Sequence, residues 1–88
     1  ATDLAVALAT WSSLHEQPLP PKTVVIGEVG LAGELRRVPN LGRRLQEAAR
    51  LGYTQAIVPK LGEPLAIDGL RVHEAKTLAE AVKILAGL

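Results

Sequence analysis

The sequence has 88 residues, enough for one small domain, and a chain of that size buries only about 60–65% of the surface its unfolded form exposes. One Trp, one Tyr and no Phe leave the core to Leu, Val, Ile and Ala, and they exclude the row of aromatics on which single-stranded nucleic acid stacks. A net charge of +1 selects no partner class, and the lack of Cys excludes a disulfide framework and a thiolate metal site, which suits a cytoplasmic protein. No apolar run approaches the ~20 residues of a membrane span, and no signal peptide is visible.

Residues 2–14 have helical period. Leu4, Leu8 and Trp11 recur on one face, Thr2 or Asp3 can cap the start, and Pro18, Pro20 and Pro21 end the helix near Leu14 or His15. The run TVVIGEV, residues 23–29, is β-branched and almost wholly apolar, as a strand buried on both faces would be. Gly30 and Gly33 then supply a turn, and ELRRV, residues 34–38, returns as the second strand of a hairpin. Asn40 is placed to cap the next helix, which Leu41, Leu45, Ala48 and Ala49 define and Gly52 stops as its C′ residue. QAIVP, residues 55–59, reads as a short buried strand, residues 60–69 as a loop, and LRVHEA, residues 70–75, as a strand. Thr77 with Glu80 forms a capping box for a last helix whose inner face is Leu78, Val82 and Leu85. The order is α-β-β-α-β-β-α, an α/β or α+β domain. The first helix has no strand before it to pack on, and the chain has no Met even at position 1. Both features read as a piece of a longer polypeptide, with Leu4, Leu8 and Trp11 an apolar face short of cover and hence a candidate interface.

GEVGLAGELRRVPNLGRRLQEAARLGYTQAIVP resembles the proteolytic domain of the Lon family: Gly-Glu, a short strand, a Gly turn, a second strand, a Leu/Ala-rich helix and a strand ending in Pro. DLAVALATWSSLHEQPLP matches the helix before it. More closely, DLAVALA and GEVGLAGELR are similar to the Lon-like C-terminal domain of the RadA/Sms family of bacterial DNA-repair ATPases, and the likeness covers nearly all of the chain. It implies an α+β, two-layer α/β, Lon protease-like fold (ribosomal S5 domain 2-like) without its upstream strands.

In Lon proteases a Lys amine acts as the base for a Ser hydroxyl that is a weak nucleophile on its own. By this resemblance the Ser position is Ala1 and the Lys position is Gly42, so the dyad is absent. Ser12 and Ser13 lie about 16–18 Å along the helix from the Ser position. Arg43 stays protonated and is no general base; His15 and His73 are isolated, and Asp3 is a cap. Five arginines, Arg36, Arg37, Arg43, Arg44 and Arg50, fall within fifteen residues. Their default reading is a solvated face pairing with Glu34 and Glu47. The resemblance raises a second one, phosphate contacts of a DNA-binding ring. Arg43 and Arg44 stand at a helix start, where backbone N–H groups favour anions, but adjacent positions diverge by about 100° and are not expected to share one groove. Arg43 and Arg50 share a face. GEVGLAG precedes a strand rather than a helix, so it is no dinucleotide loop.

The reading is therefore a non-catalytic Lon-like module that self-associates, as a hexameric ring by resemblance, and contacts DNA without sequence preference. An upstream RecA-like ATPase would drive branch migration in recombination, with a RecA-type recombinase as partner. ATP, Mg and Zn are implied only for upstream domains, and this chain binds no cofactor or metal. Two alternatives stay open: a fragment of a Ser–Lys peptidase, and a stand-alone α/β interaction domain unrelated to DNA.

Overall fold

The computed structural model describes residues 2–62 and 65–88. Its elements are β1 (Thr2–Asp3), α1 (Leu4–Leu14), β2 (Thr23–Val25), β3 (Glu28–Val29), β4 (Leu35–Arg36), α2 (Leu41–Arg50), β5 (Gln55–Pro59), β6 (Arg71–Ala75) and α3 (Leu78–Gly87). Two three-stranded sheets result. β2, β5 and β6 form a parallel sheet in the order β2-β5-β6, and β1, β3 and β4 form an antiparallel ribbon in the order β1-β3-β4.

The run expected as one strand over 23–29 is divided between these sheets. The break falls at Gly27. Its carbonyl accepts from the Leu4 amide at 2.9 Å, while the Ile26 amide donates to the Ile57 carbonyl at 3.1 Å. The backbone at Gly27 passes so close to the Pro59 ring that a Cβ there would lie 2.9 Å from the ring's Cγ. A side chain at this position would push the crossing from one sheet to the other out of place. The two-residue strand β1 also lies outside what apolar periodicity can show, because it is a register contact of Thr2 with Val29 and of Asp3 with Glu28.

Alternation along β5 builds the core. Ile57 points into a cluster with Leu4 and Leu8 of α1, Val29, Ala75, and Ala81 and Leu85 of α3. Ala56 and Val58 point the other way, onto Leu41 and Leu45 of α2 and Leu70. Helices thus cover both faces of the parallel sheet. The α+β class holds, but the chain has three layers where two were expected. Leu61, Leu65 and Ile67, which lie between β5 and β6, share the second face with α2, since they pack against that cluster. Each fully buried Leu, Ile or Val contributes about 1.5–3 kcal/mol of transfer free energy.

The helix ends follow their sequences, with one exception. Asp3 accepts from the Ala5 and Val6 amides and caps α1. Thr77 accepts from the Glu80 amide, and the Glu80 carboxylate reaches back to the Lys76 amide, one residue earlier than the usual box. Gly52 closes α2 with a φ of 98°, and the Tyr53 amide bonds to the Ala48 carbonyl. Asn40 stands at the N-cap of α2 but makes no side-chain capping bond. Its backbone is left-handed, φ 59° and ψ 35°, which turns its side chain away from the capping role expected of it.

Candidate nucleic-acid interface

The five arginines separate into two groups. Arg36 is bound to Glu34 at 2.8 Å, and Arg50 holds both carboxylate oxygens of Glu47, at 2.7 and 2.6 Å, three residues back on α2. These are the two carboxylates that the solvated-face reading paired with the arginines. Arg37, Arg43 and Arg44 form no ion pair among the described residues, and all three are exposed. The Arg43–Arg50 pairing by face is therefore of less use than expected, since Arg50 is already engaged.

Glu34 is held in place from three sides. Its carboxylate accepts from Arg36 and from the Ala32 amide, and it lies over Gly30, where a Cβ would sit 2.3 Å from its carboxyl carbon. The hydrogen bond from Arg36, followed by backbone hydrogen bonds, lowers its carboxyl below the ordinary value. Likewise the Glu47 hydrogen bond raises Arg50.

The start of α2 carries Gly42, Arg43 and Arg44, with no acidic residue in its first turn. With Asn40 not capping through its side chain, this end keeps the positive field of its first-turn N–H groups beside Arg43 and Arg44, which form no ion pair among the described residues. Arg43 and Arg44 also line one open groove of about 430 Å³ between β2 and the flank of α2. The groove follows the helix from its first turn to its last, so it takes in residues on more than one angular position. Its floor is apolar: Val24, Ile26, Ala48, Leu51 and Tyr53. The sequence reading passed over Leu51 and Tyr53. Their only signal was an apolar residue on each side of a helix-ending glycine.

Of the two positions that the resemblance assigns to a Ser–Lys dyad, the structure describes one. Gly42 has open space where a side chain would be, with nothing within 4 Å of a built Cβ. Ala1 lies outside the described residues. Ser12 donates its hydroxyl to the Gln17 carbonyl, and His15 stacks on Trp11 with ring centroids 4.6 Å apart. His73 pairs through Nε2 with the Gln55 amide oxygen at 2.8 Å, and burial, aided by the Arg71 charge, lowers its pKa. No Ser hydroxyl among the described residues bonds to a His or Lys, and no trio of His, Asp and Glu there could hold a metal. No described helix is long and apolar enough to cross a membrane. The residues expected at an interface divide too. Leu4 and Leu8 are 0% exposed, inside the chain's own core, and Trp11 is half-buried. Helix α1 turns Val6 and Leu14 outward in their stead. The reason is α3, whose Ala81 and Leu85 supply the cover that the sequence reading assigned to missing strands.

A family model described as subunit ChlI of Mg-chelatase matches residues 1–61. The chain belongs to that family. It is also similar, over nearly its whole length, to a segment of proteins named DNA repair protein RadA. It is 51% identical to the one from Mycolicibacterium smegmatis over 85 residues, which is 97% of this chain and 18% of that protein. For the one from Escherichia coli the figures are 46%, 96% and 18%, and for Aquifex aeolicus 44%, 97% and 19%. The chain thus spans a little under one fifth of the length of these relatives, and its sequence likeness to RadA stands as a finding.

Proposed function

We propose that this chain is the non-catalytic, Lon-like module of a RadA-type DNA repair and recombination protein. It supports assembly of a ring and contacts DNA without reading sequence, while a RecA-like ATPase elsewhere in the parent drives branch migration. The observation that carries this is the 51% identity to a DNA repair protein over 97% of the chain. Two features support it. The Lys position of a Lon dyad is Gly42, which offers no amine. Three exposed arginines, Arg37, Arg43 and Arg44, have no carboxylate partner among the described residues, and two of them stand at a helix start that favours anions.

Phosphate contacts release counterions, so log K falls with log salt by ~0.9 per contact on duplex DNA. Replacing Arg43 and Arg44 by Ala in the full-length parent is expected to weaken binding about equally for unrelated sequences and to flatten that slope by ~1–2. Replacing Arg36 and Arg50, which are already engaged, is expected to change it less. The isolated chain binds weakly, because a ring multiplies a few contacts per copy. In the same preparations casein stays uncut. An unchanged slope with unchanged affinity returns these arginines to a solvating role, and a cleavage activity that survives repurification ends the non-catalytic reading.

A further inference from the structure

Gly30 is buried, and its φ lies outside the left-handed region that favours glycine. The backbone therefore gives no reason for a missing side chain there. The three atoms nearest to a Cβ built on Gly30 are Cδ, Oε1 and Oε2 of one residue, Glu34. What keeps this position bare is a carboxylate lying across it. That carboxylate accepts from the Ala32 amide at 3.0 Å and from Arg36 at 2.8 Å, so it closes the turn between β3 and β4 from inside. Charged groups on β1, β3, β4 and the start of α3 include Asp3, Glu28, Arg36, Lys76 and Glu80, and among the described residues only Arg36 pairs with it.

The same turn is fastened from outside. The Gly33 carbonyl accepts from the Leu78 amide and the Lys76 carbonyl from the Leu35 amide, both at 2.9 Å. Glu34 and Thr77 stand opposite each other as an antiparallel backbone pair. Leu78 opens α3, and its amide is one of the first-turn donors that a helix cannot satisfy by itself. The turn thus caps α3 as well as ending the antiparallel ribbon. Packing does little to hold it, because Leu31 at its tip and Ala32 are both exposed. Two glycines in four residues add conformational freedom rather than stiffness.

We propose that the Glu34 carboxylate is the key of a strap: its charge holds the turn 30–34 closed, and the closed turn holds the start of α3. Loss of that charge, or a methyl group in its seat on Gly30, opens the turn and frees the Leu78 amide. Gly30 and Glu34 act as one unit, so changing either removes the effect of the other. The Arg36 hydrogen bond and the backbone hydrogen bonds lower the Glu34 carboxyl from its ordinary 4.5. Its hold is therefore present above pH 4.5 and is lost as pH falls through the folded pKa. The strap consists of contacts within the chain and does not rest on the DNA reading.

Hydrogen exchange followed by NMR on the 88-residue chain tests this. At neutral pH, Glu34→Ala is expected to speed exchange at the Ala32 and Leu78 amides by about tenfold, the effect of one hydrogen bond to a charged group. Amides of β5 are expected to keep their rates, which reports the fold intact. Gly30→Ala is expected to do the same although it leaves every charge in place. The double variant is expected to exchange no faster than either single one, as two parts of one unit should. Compared at equal pH, the unsubstituted chain is expected to approach the Glu34→Ala rates below pH 4.5. Additive effects of the two substitutions would overturn the proposal. So would a Gly30→Ala chain that exchanges like the unsubstituted one, or one that unfolds where Glu34→Ala does not, since Gly30 would then be bare for another reason. Faster exchange at Ala32 with Leu78 unmoved would also overturn it, by showing that the turn does not hold α3.

Discussion

Glu16 follows the C-cap of α1 with a φ of 51°, and the Glu16 and Gln17 amides bond to the Ser13 and Ser12 carbonyls. This is the same closing motif that Gly52 makes for α2, built without a glycine. A left-handed non-glycine residue bears a steric cost of about 1–2 kcal/mol, part of which glycine returns as unfolded-state entropy, about 0.5–1 kcal/mol. Glu16→Gly is therefore expected to stabilise the fold by about 0.5 kcal/mol, and Gly52→Ala to destabilise it by about 1 kcal/mol. Urea midpoints at unchanged m-value read both signs. His73 gives a pH dependence. Its folded pKa lies below the ordinary value of 6.5, so the unfolded chain binds the proton more readily. The stability linked to His73 is present above pH 6.5 and is lost as pH falls through its folded pKa. Melting temperature is expected to decline between pH 7.5 and 5.5, and His73→Gln to flatten that part of the curve. A decline that persists in the variant assigns it to other groups. The residue scale also shows where reading from sequence stops. Asp3 and Thr77 cap as their types require, whereas Asn40 stands in the right place with a backbone conformation that only its neighbours set.

Among the elements, α2 joins fold and surface. Leu45 is 0% exposed and packs on Ala56 and Val58, while the opposite side carries the arginines. Leu45→Ala removes buried methyl groups from a site walled by strands that cannot collapse around the space, so about 3 kcal/mol of destabilisation is expected, within the usual 2–5. That is a large share of the stability of so small a domain, and urea denaturation would measure it. A loss under 1 kcal/mol would mean that α2 is not clamped to the sheet as described. The helices were legible because apolar period and caps are local properties. The strand over 23–29 was legible as β structure but not as two strands. Its division depends on the Pro59 ring against Gly27, a contact between residues 32 apart in the chain.

For the molecule as a whole, self-association is the expectation that the structure redirects. Helix α1 has no charged residue from Leu4 to Leu14, and its outward side shows Val6 at 58% and Leu14 at 76% exposure. Any weak association of copies is expected to bury this side, since Leu4 and Leu8 have no surface left to offer. Sedimentation equilibrium at millimolar concentration is expected to show association that Val6→Glu reduces, while Leu8→Ala acts on stability first. A chain that stays monomeric throughout would remove self-association of the module from the proposal. The sequence by itself determined the class, the helices, most of their ends, the aliphatic core and the likeness to RadA. Each of these follows from residue type and short-range spacing. Tertiary structure alone decided which arginines pair with Glu34 and Glu47, and that α3 covers Leu4 and Leu8. These depend on contacts between distant parts of the chain, and spacing along the sequence carries no record of which faces meet.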